Sequence, residues 1–308
     1  MTYDMVISII TSTLRLSVPV MMATVGCSFS TQGGVTAFGC EGMMAAGAIF
    51  ATIGAYFSGN KWVGILAGVA AAMLISCIHG VLHIKYRVNA TLSGMSVNLL
   101  GTAMATLLLK LVWQEEGFSP PTEAFTKLAA NPAFQWLTKI PVAGYILGEQ
   151  SVYFFFCIIM VVISWMFMYK TAYGLRLRMV GENPVAANTV GINTVRYKYF
   201  GVLVCGFMAG LGGTFLSLVG MNRYTIDMTA GRGYVAMVIN NLGASNPIGS
   251  ALASIFFGFF DCLQFVFQGV NTPAQLLMMM PYVFTLLICL ANTKRSRGPA
   301  GMGKFYDD

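Results

Sequence analysis

The chain has 308 residues, of which 56% are hydrophobic and only 9% charged, and its mean hydropathy is +0.71. A soluble domain of that length cannot hide so much apolar surface, and long runs with few charges read as membrane spans. The net charge of +7 comes from basic residues in short connections, not from a basic face with interleaved aromatics, so no nucleic-acid partner is expected.

Runs of about 20 apolar residues predict spans near 5–29, 36–57, 62–84, 91–113, 151–169, 197–220, 248–268 and 272–291. A segment near 232–244 is too short for an ordinary span and could cross as a broken helix or re-enter. The expectation is an all-α, polytopic helical bundle of about 8–10 spans, forming one transmembrane domain over residues 1–308. The first run is interrupted by Arg15 and Pro19, and its flanks do not read as a cleaved signal peptide. Small-residue pairs such as Gly64/Gly68 and Gly206/Gly210/Gly213 would let helices approach closely.

Lysine and arginine bias in short loops sets orientation. The 170–198 connection carries Lys170, Arg176, Arg178, Arg196 and Lys198 against Glu182 alone. Lys85 and Arg87 mark the 79–90 connection, and Lys294, Arg295, Arg297 and Lys304 the 292–308 tail. All three are expected in the cytoplasm. The 114–150 segment, with Glu115, Glu116, Glu123 and Glu149 against Lys127 and Lys139, is expected outside. This places a multi-pass protein in the plasma or inner membrane with a cytoplasmic C-terminus, and puts the N-terminus outside.

The seven cysteines lie singly in or beside apolar runs without metal spacing, and read as small buried hydrophobes. His79 and His83 are four residues apart without the HExxH context, so packing or interface anchoring is expected rather than metal ligation. No metal or cofactor is expected. Glu41 and Asp261, inside spans, should face the bundle interior if ionised. Glu41 divides between a structural hydrogen-bonding role and the solute pathway. Asp261 reads as a solvated residue near the outer interface. Ser93, Asn98, Asn240 and Asn241 could bond a polar solute or another helix. Gly231-Arg232-Gly233 is expected at the outer entrance of the short helix, with Arg232 attracting solute or pairing with Asp227.

The polar stretch GLRLRMVGENPVAANTVGI, residues 174–192, stands out in so apolar a chain. Asn183 suits an N-cap and Pro184 the first helical position. Glu182 adds negative charge beside the helix N-terminus, and Gly191 supplies a left-handed stop. A short helix of roughly 10 Å follows, either a solvated connector or a docking element with small residues on its surface. Glu182 has no histidine, cysteine or second carboxylate in the segment to shift its pKa, so catalysis is not expected. No G-x-x-x-x-G-K-[ST] motif occurs, and Gly210–Thr214 and Gly301–Lys304 lack its spacing. An ATP-driven process would therefore need a separate motor subunit.

The 174–213 region resembles the cytoplasmic signature of bacterial ABC-importer permeases of the type II-like group, which serves simple sugars, nucleosides and branched-chain amino acids. Gly33–Gly47, Thr91–Leu100, Gly231–Gly258 and Thr272–Leu286 are similar to its nucleoside-type members, in the right order. Where that group usually has an acidic and basic pair followed by asparagine, this chain has Ser30, Thr31, Gln32 and then Thr36, Ala37. The resemblance implies a transport subunit, not an enzyme, importing a small polar solute such as a nucleoside. It implies a coupling helix within Gly181, Glu182, Asn183, Pro184, Ala186, Ala187, Gly191 and Ile192, facing ATPase subunits. The other implied partners are a second homologous permease, a substrate-binding lipoprotein and membrane lipid. A sugar permease, or a stand-alone secondary transporter or channel using Glu41 or Asp261, are the alternatives.

Overall fold

The computed structural model describes residues 3–114, 117–123, 125, 143–267, 274–291 and 298–304. Glu115, Glu116, Lys127, Lys139, Lys294, Arg295 and Arg297, used above for orientation, lie outside the described residues. The helices are α1 (Tyr3–Gln32), α2 (Cys40–Ser58), α3 (Lys61–Gly80), α4 (Ala90–Trp113), α5 (Ala143–Gly148), α6 (Val152–Lys170), α7 (Ala172–Glu182), α8 (Pro184–Thr189), α9 (Thr194–Phe215), α10 (Arg232–Leu242), α11 (Pro247–Phe267) and α12 (Ala274–Ala291). α3 and α9 each end in a π-helical turn, Val81–Lys85 and Leu216–Gly220. Among the described residues, seven helices are long and apolar enough to cross a bilayer.

Short polar side chains start six of these helices. Asn60, Asn89, Ser151, Thr171, Asn183 and Asn193 each accept a backbone N–H from the first turn that follows. Such a cap satisfies donors that hydrocarbon could not. α2 begins later than the hydropathy run suggested, because Gly34 is left-handed at φ +81° and turns occupy the residues before Cys40.

α2 and α9 form the interior, with 72% of each span buried, against 28% for α4, which lies outside. The expected close crossings are present. A Cβ on Gly68 would lie 2.4 Å from the Gly47 carbonyl, and one on Gly213 2.2 Å from that of Met44. α11 runs along α1, and α10 packs against α1, α2 and α11. The sulfurs of Cys27, Cys40 and Cys205, on three helices, lie within 4.8 Å of one another and are fully buried, although no sequence spacing links them.

The spans connect two ends of the bundle. At one, residues 117–123 pair with 222–226 through Phe118 and Thr225, with Ser119 N donating to Tyr224 O at 2.8 Å. Arg15 reaches the same end and donates to the Glu149 carbonyl at 2.9 Å, which satisfies this intramembrane cation. The opposite end collects the Lys85/Arg87 connection, α7, α8 and the tail, and is called the basic end below.

α10 covers only half the distance between the ends. Its N-terminus touches Glu41 in the first turn of α2, and that turn is held by Asn98, eight residues into α4. Eight residues of helix span about 12 Å. The C-terminal end of α10 meets Ser28 and Thr31 in the last turns of α1. Above it, Tyr224 and Met228 pack against Ala48, Ile49, Ala105 and Leu109. A non-helical leg therefore descends from the far end and α10 completes the crossing. The short segment is a broken span, tolerated because protein surrounds the irregular leg.

Candidate functional site

The polar stretch forms an elbow of two helices. α7 precedes the predicted short helix and is N-capped by Thr171, whose Oγ accepts from Gly174 N at 3.2 Å. At α8, Asn183 Oδ1 accepts from Ala186 N at 3.0 Å and Pro184 occupies the first turn. Gly191, at φ +80°, ends it, and its N–H donates to Asn188 O at 3.0 Å. Capping chemistry thus located the start of α8 at Pro184, and the helix ends at Thr189, one residue before the expected Val190.

Which side of α8 faces out differs from the expectation. Ala187 is 0% exposed, and Pro184 is also buried. Val185, Asn188, Thr189 and Val190 form the exposed surface, with Ala186 partly so. Glu182 is exposed but is the last residue of α7, where its charge opposes that helix's dipole while favouring α8's. Ile192 N donates back to Ala187 O at 3.0 Å.

The inner side of the elbow is built from backbone. Gly181 is buried, and a Cβ there would meet the Gln32 carbonyl at 2.2 Å, so only glycine lets α7 close on the end of α1. The tail fills the remaining corner. Gly301 N donates to Gly181 O and Gly303 N to Gly34 O, both at 3.0 Å. Lys198 Nζ donates to Lys304 O at 2.5 Å. A Cβ on Gly301 would stand 2.6 Å from Pro184 Cδ. Sequence reasoning weighed GMGK only as a failed phosphate loop and missed this clasp.

From the clasp, contacts lead to the broken span. Gln32 Nε2 donates to the Ser245 carbonyl at 3.1 Å, at the bend between α10 and α11. Asn240 is buried there. Its Oδ1 accepts from Ser28 Oγ at 2.7 Å and Ser250 Oγ at 3.4 Å, and its Nδ2 donates to Thr31 Oγ1 at 3.1 Å and Ser245 Oγ at 3.4 Å. At the other end of α10, Glu41 Oε1 accepts from Gly231 N at 3.0 Å and Oε2 from Gly233 N at 2.6 Å. A carboxylate at the positive end of a helix satisfies its free N–H groups and its dipole together.

The other sequence candidates are engaged in the same way. Asn98 Oδ1 accepts from Gly42 N at 2.8 Å, while its Nδ2 donates to Phe38 O at 2.7 Å. Ser93 Oγ lies 3.0 Å from His79 Nδ1. Glu41, Ser93, Asn98 and Asn240 are all buried and bind helix to helix; Asn241 alone is exposed. It shares a face of α10 with Tyr234, which is 44% exposed, at a spacing of two helical turns. A cavity of about 350 Å³ lined by Glu41, Met95, Asn98, Thr102, Asp227 and Tyr234 adjoins that face. Tyr234 was overlooked because a tyrosine inside an apolar run carries no charge to flag it.

Two placements are corrected. Gly231-Arg232-Gly233 sits against buried Glu41, not at an outer entrance, because the non-helical leg precedes it. Arg232 pairs with Asp261, at 3.7 Å, and not with Asp227; its Nη1 also donates to Met228 O at 3.2 Å. Asp261 is therefore a mostly buried ion-pair partner rather than a solvated one.

Residues 9–289 match the family described as branched-chain amino acid transport system / permease component. The nucleoside ABC transporter permease protein NupC of Lactococcus lactis subsp. cremoris is 32% identical, over 97% of this chain and 96% of its own. The guanosine ABC transporter permease protein NupQ of Bacillus subtilis is also 32% identical, over 97% and 96%. A second Lactococcus protein, the nucleoside ABC transporter permease protein NupB, is 24% identical over 63% of this chain and 53% of its own. Among solved structures, a metal-chelate type ABC transporter in an inward-facing conformation superposes with a TM-score of 0.50 at 14% identity, covering 91% of this chain and 85% of its own, a likeness of fold. The seven apolar spans and the near full-length matches agree: this multi-pass membrane protein belongs to the branched-chain amino acid transport system / permease component family and is the transport subunit, not the ATPase, of an ABC transporter.

Proposed function

We propose that this permease imports nucleosides, driven by ATP hydrolysed on cytoplasmic subunits that seat the Gly181–Ile192 elbow. The observation that carries the reading is α8 itself: a separately capped helix, polar in an apolar chain, with Val185, Asn188 and Thr189 turned outward. Two near full-length relatives carrying nucleoside or guanosine in their names support the cargo. The lysine and arginine bias of the 170–198 connection supports a cytoplasmic α8 and tail.

In this reading, movement of the ATPases shifts α8. Gly181, Gly34 and Gly301 leave no side chains to absorb the shift, so the end of α1 follows. Gln32 carries it to Ser245 and thus to α10, whose Tyr234 and Asn241 face lines the pathway. An aromatic ring and an amide suit stacking and hydrogen bonding with a base. Glu41, Ser93, Asn98 and Asn240 keep the broken span in register.

A second, non-identical permease completes the pathway, in line with the two different nucleoside ABC transporter permease proteins of Lactococcus. A substrate-binding lipoprotein delivers solute where 117–123 pairs with 222–226. The test is co-expression with candidate ATPase and permease partners, followed by co-purification. A stable complex whose ATP hydrolysis rises with nucleoside and binding protein is expected. A chain that purifies alone and ignores every ATPase offered contradicts the reading.

A further inference from the structure

Beside the elbow, a cavity of about 630 Å³ opens between α7 and the first turns of α9, lined by Tyr173, Arg176, Ile192, Arg196, Tyr197 and Phe200, among others. Two guanidinium groups and a row of aromatic rings share one concave surface. Arg176 Nη1 donates to Tyr197 Oη at 3.5 Å, and both arginines are exposed. Within 170–198 five basic residues face one acid, Glu182, which ends α7 at the elbow. The cavity favours an anion.

Its position says which anion. α6 leaves Ile159, Val162, Ile163 and Met166 exposed at helical spacing, an apolar stripe at membrane depth that none of the described residues covers. That stripe continues into the cavity through a chain of tilted aromatic rings. Phe167 of α6 lies 6.4 Å from Tyr173 and 5.5 Å from Phe200, and Tyr173 lies 5.8 Å from Tyr197. Arg196 stands in the first turn of a spanning helix, so the cations sit where the apolar stripe ends. An apolar track ending in aromatics and two arginines matches one molecule from end to end: acyl chains, an interfacial glycerol and an anionic head.

We propose that the α7–α9 cavity binds the phosphate headgroup of an anionic phospholipid between Arg176 and Arg196, with the chains along α6. Arginine suits the task because its planar fork pairs with phosphate oxygens in a bidentate manner. Val190, Gly191 and Ile192, which follow α8, form part of the wall. The bound lipid therefore also buttresses the elbow. Binding itself does not depend on the elbow's role; only that consequence rests on the proposed docking of ATPases.

The test is native mass spectrometry of the intact chain taken from vesicles of phosphatidylcholine mixed with phosphatidylglycerol. The wild type is expected to retain phosphatidylglycerol preferentially, and R176Q/R196Q to lose that preference on the order of thirtyfold, as two cations near an anionic surface would give. R176K/R196K keeps the charge and controls for folding; it should retain a measurable preference. Inorganic phosphate added to the phosphatidylcholine-only sample should not protect the chain against thermal unfolding, whereas phosphatidylglycerol should. Equal retention by the wild type and the glutamine pair overturns the proposal. So does protection by phosphate alone, which would mark a soluble anion site. If the glutamine pair loses ATPase binding but keeps its lipid, the cavity belongs to the protein partner and the proposal fails, whatever becomes of the elbow.

Discussion

The backbone N–H of Gly301 donates to the carbonyl of Gly181 at 3.0 Å, tying the C-terminal tail to the elbow that precedes α8. A Cβ on Gly301 would stand 2.7 Å from that carbonyl, and one on Gly181 would meet the Gln32 carbonyl at 2.2 Å. The contact is long-range by sequence and lies beside the direct approach of Gly181 to Gln32 at the end of α1. Tail, elbow and the end of α1 therefore share one contact cluster.

Gly301→Val tests that cluster. Its new side chain would collide with Pro184 Cδ and the Gly181 carbonyl, and overpacking of this kind costs about 1–3 kcal/mol. In the assembled complex ATP hydrolysis should persist while uptake falls severalfold. Gly303→Ala, at φ +76° with open space around its Cβ position, should strain the backbone without the collision and have the smaller effect. Hydrolysis and uptake falling together in both variants would remove the tail from coupling.

Glu41 should be structural before it is functional. Glu41→Ala leaves the N–H groups of Gly231 and Gly233 without their acceptor, a loss of about 1–3 kcal/mol for a buried donor. A lower melting temperature in detergent is expected, with Glu41→Gln intermediate because one acceptor oxygen remains. Unchanged melting in both variants would argue that α10 is held by other contacts.

Neighbouring asparagines on α10 should separate. Asn240→Ala breaks a buried network joining α1, α10 and α11 and should lower stability by about 1–3 kcal/mol. Asn241→Ala and Tyr234→Ala touch exposed side chains and should leave melting nearly unchanged while weakening apparent nucleoside affinity. The check is a thermal melt set beside concentration-dependent uptake for all three.

At the elbow, Asn183→Ala removes the cap of α8 and should cost about 0.5–2 kcal/mol of local stability. Val185→Asp instead puts charge on the exposed face without disturbing the buried Ala187. It should abolish ATPase co-purification while the chain stays monodisperse. Retained co-purification would move the docking face elsewhere.

Much of this was legible in the sequence because the signals were local. Hydropathy runs located the long helices, small-residue spacing anticipated the Gly68 and Gly213 crossings, and Asn183, Pro184 and Gly191 bounded α8. α7 was missed because it is too polar for an apolar-run search, although Thr171 caps it. The inward turn of Ala187 depends on how α8 packs against α7 and α9, and six residues of helix have too little periodicity to reveal a face. Arg232's choice of Asp261 over the nearer-in-sequence Asp227 depends on how α11 returns past α10. Partners fixed by tertiary crossing leave no mark in local pattern. The GMGK clasp is the clearest case, because its partners are backbone atoms far along the chain.

The central claim is tested most directly by nucleoside uptake into vesicles carrying the chain with its ATPase and permease partners, with ATP supplied to the basic face. Uptake that requires ATP and is lost in Val185→Asp is predicted. Uptake by this chain alone without ATP, or undiminished in Val185→Asp, would contradict it.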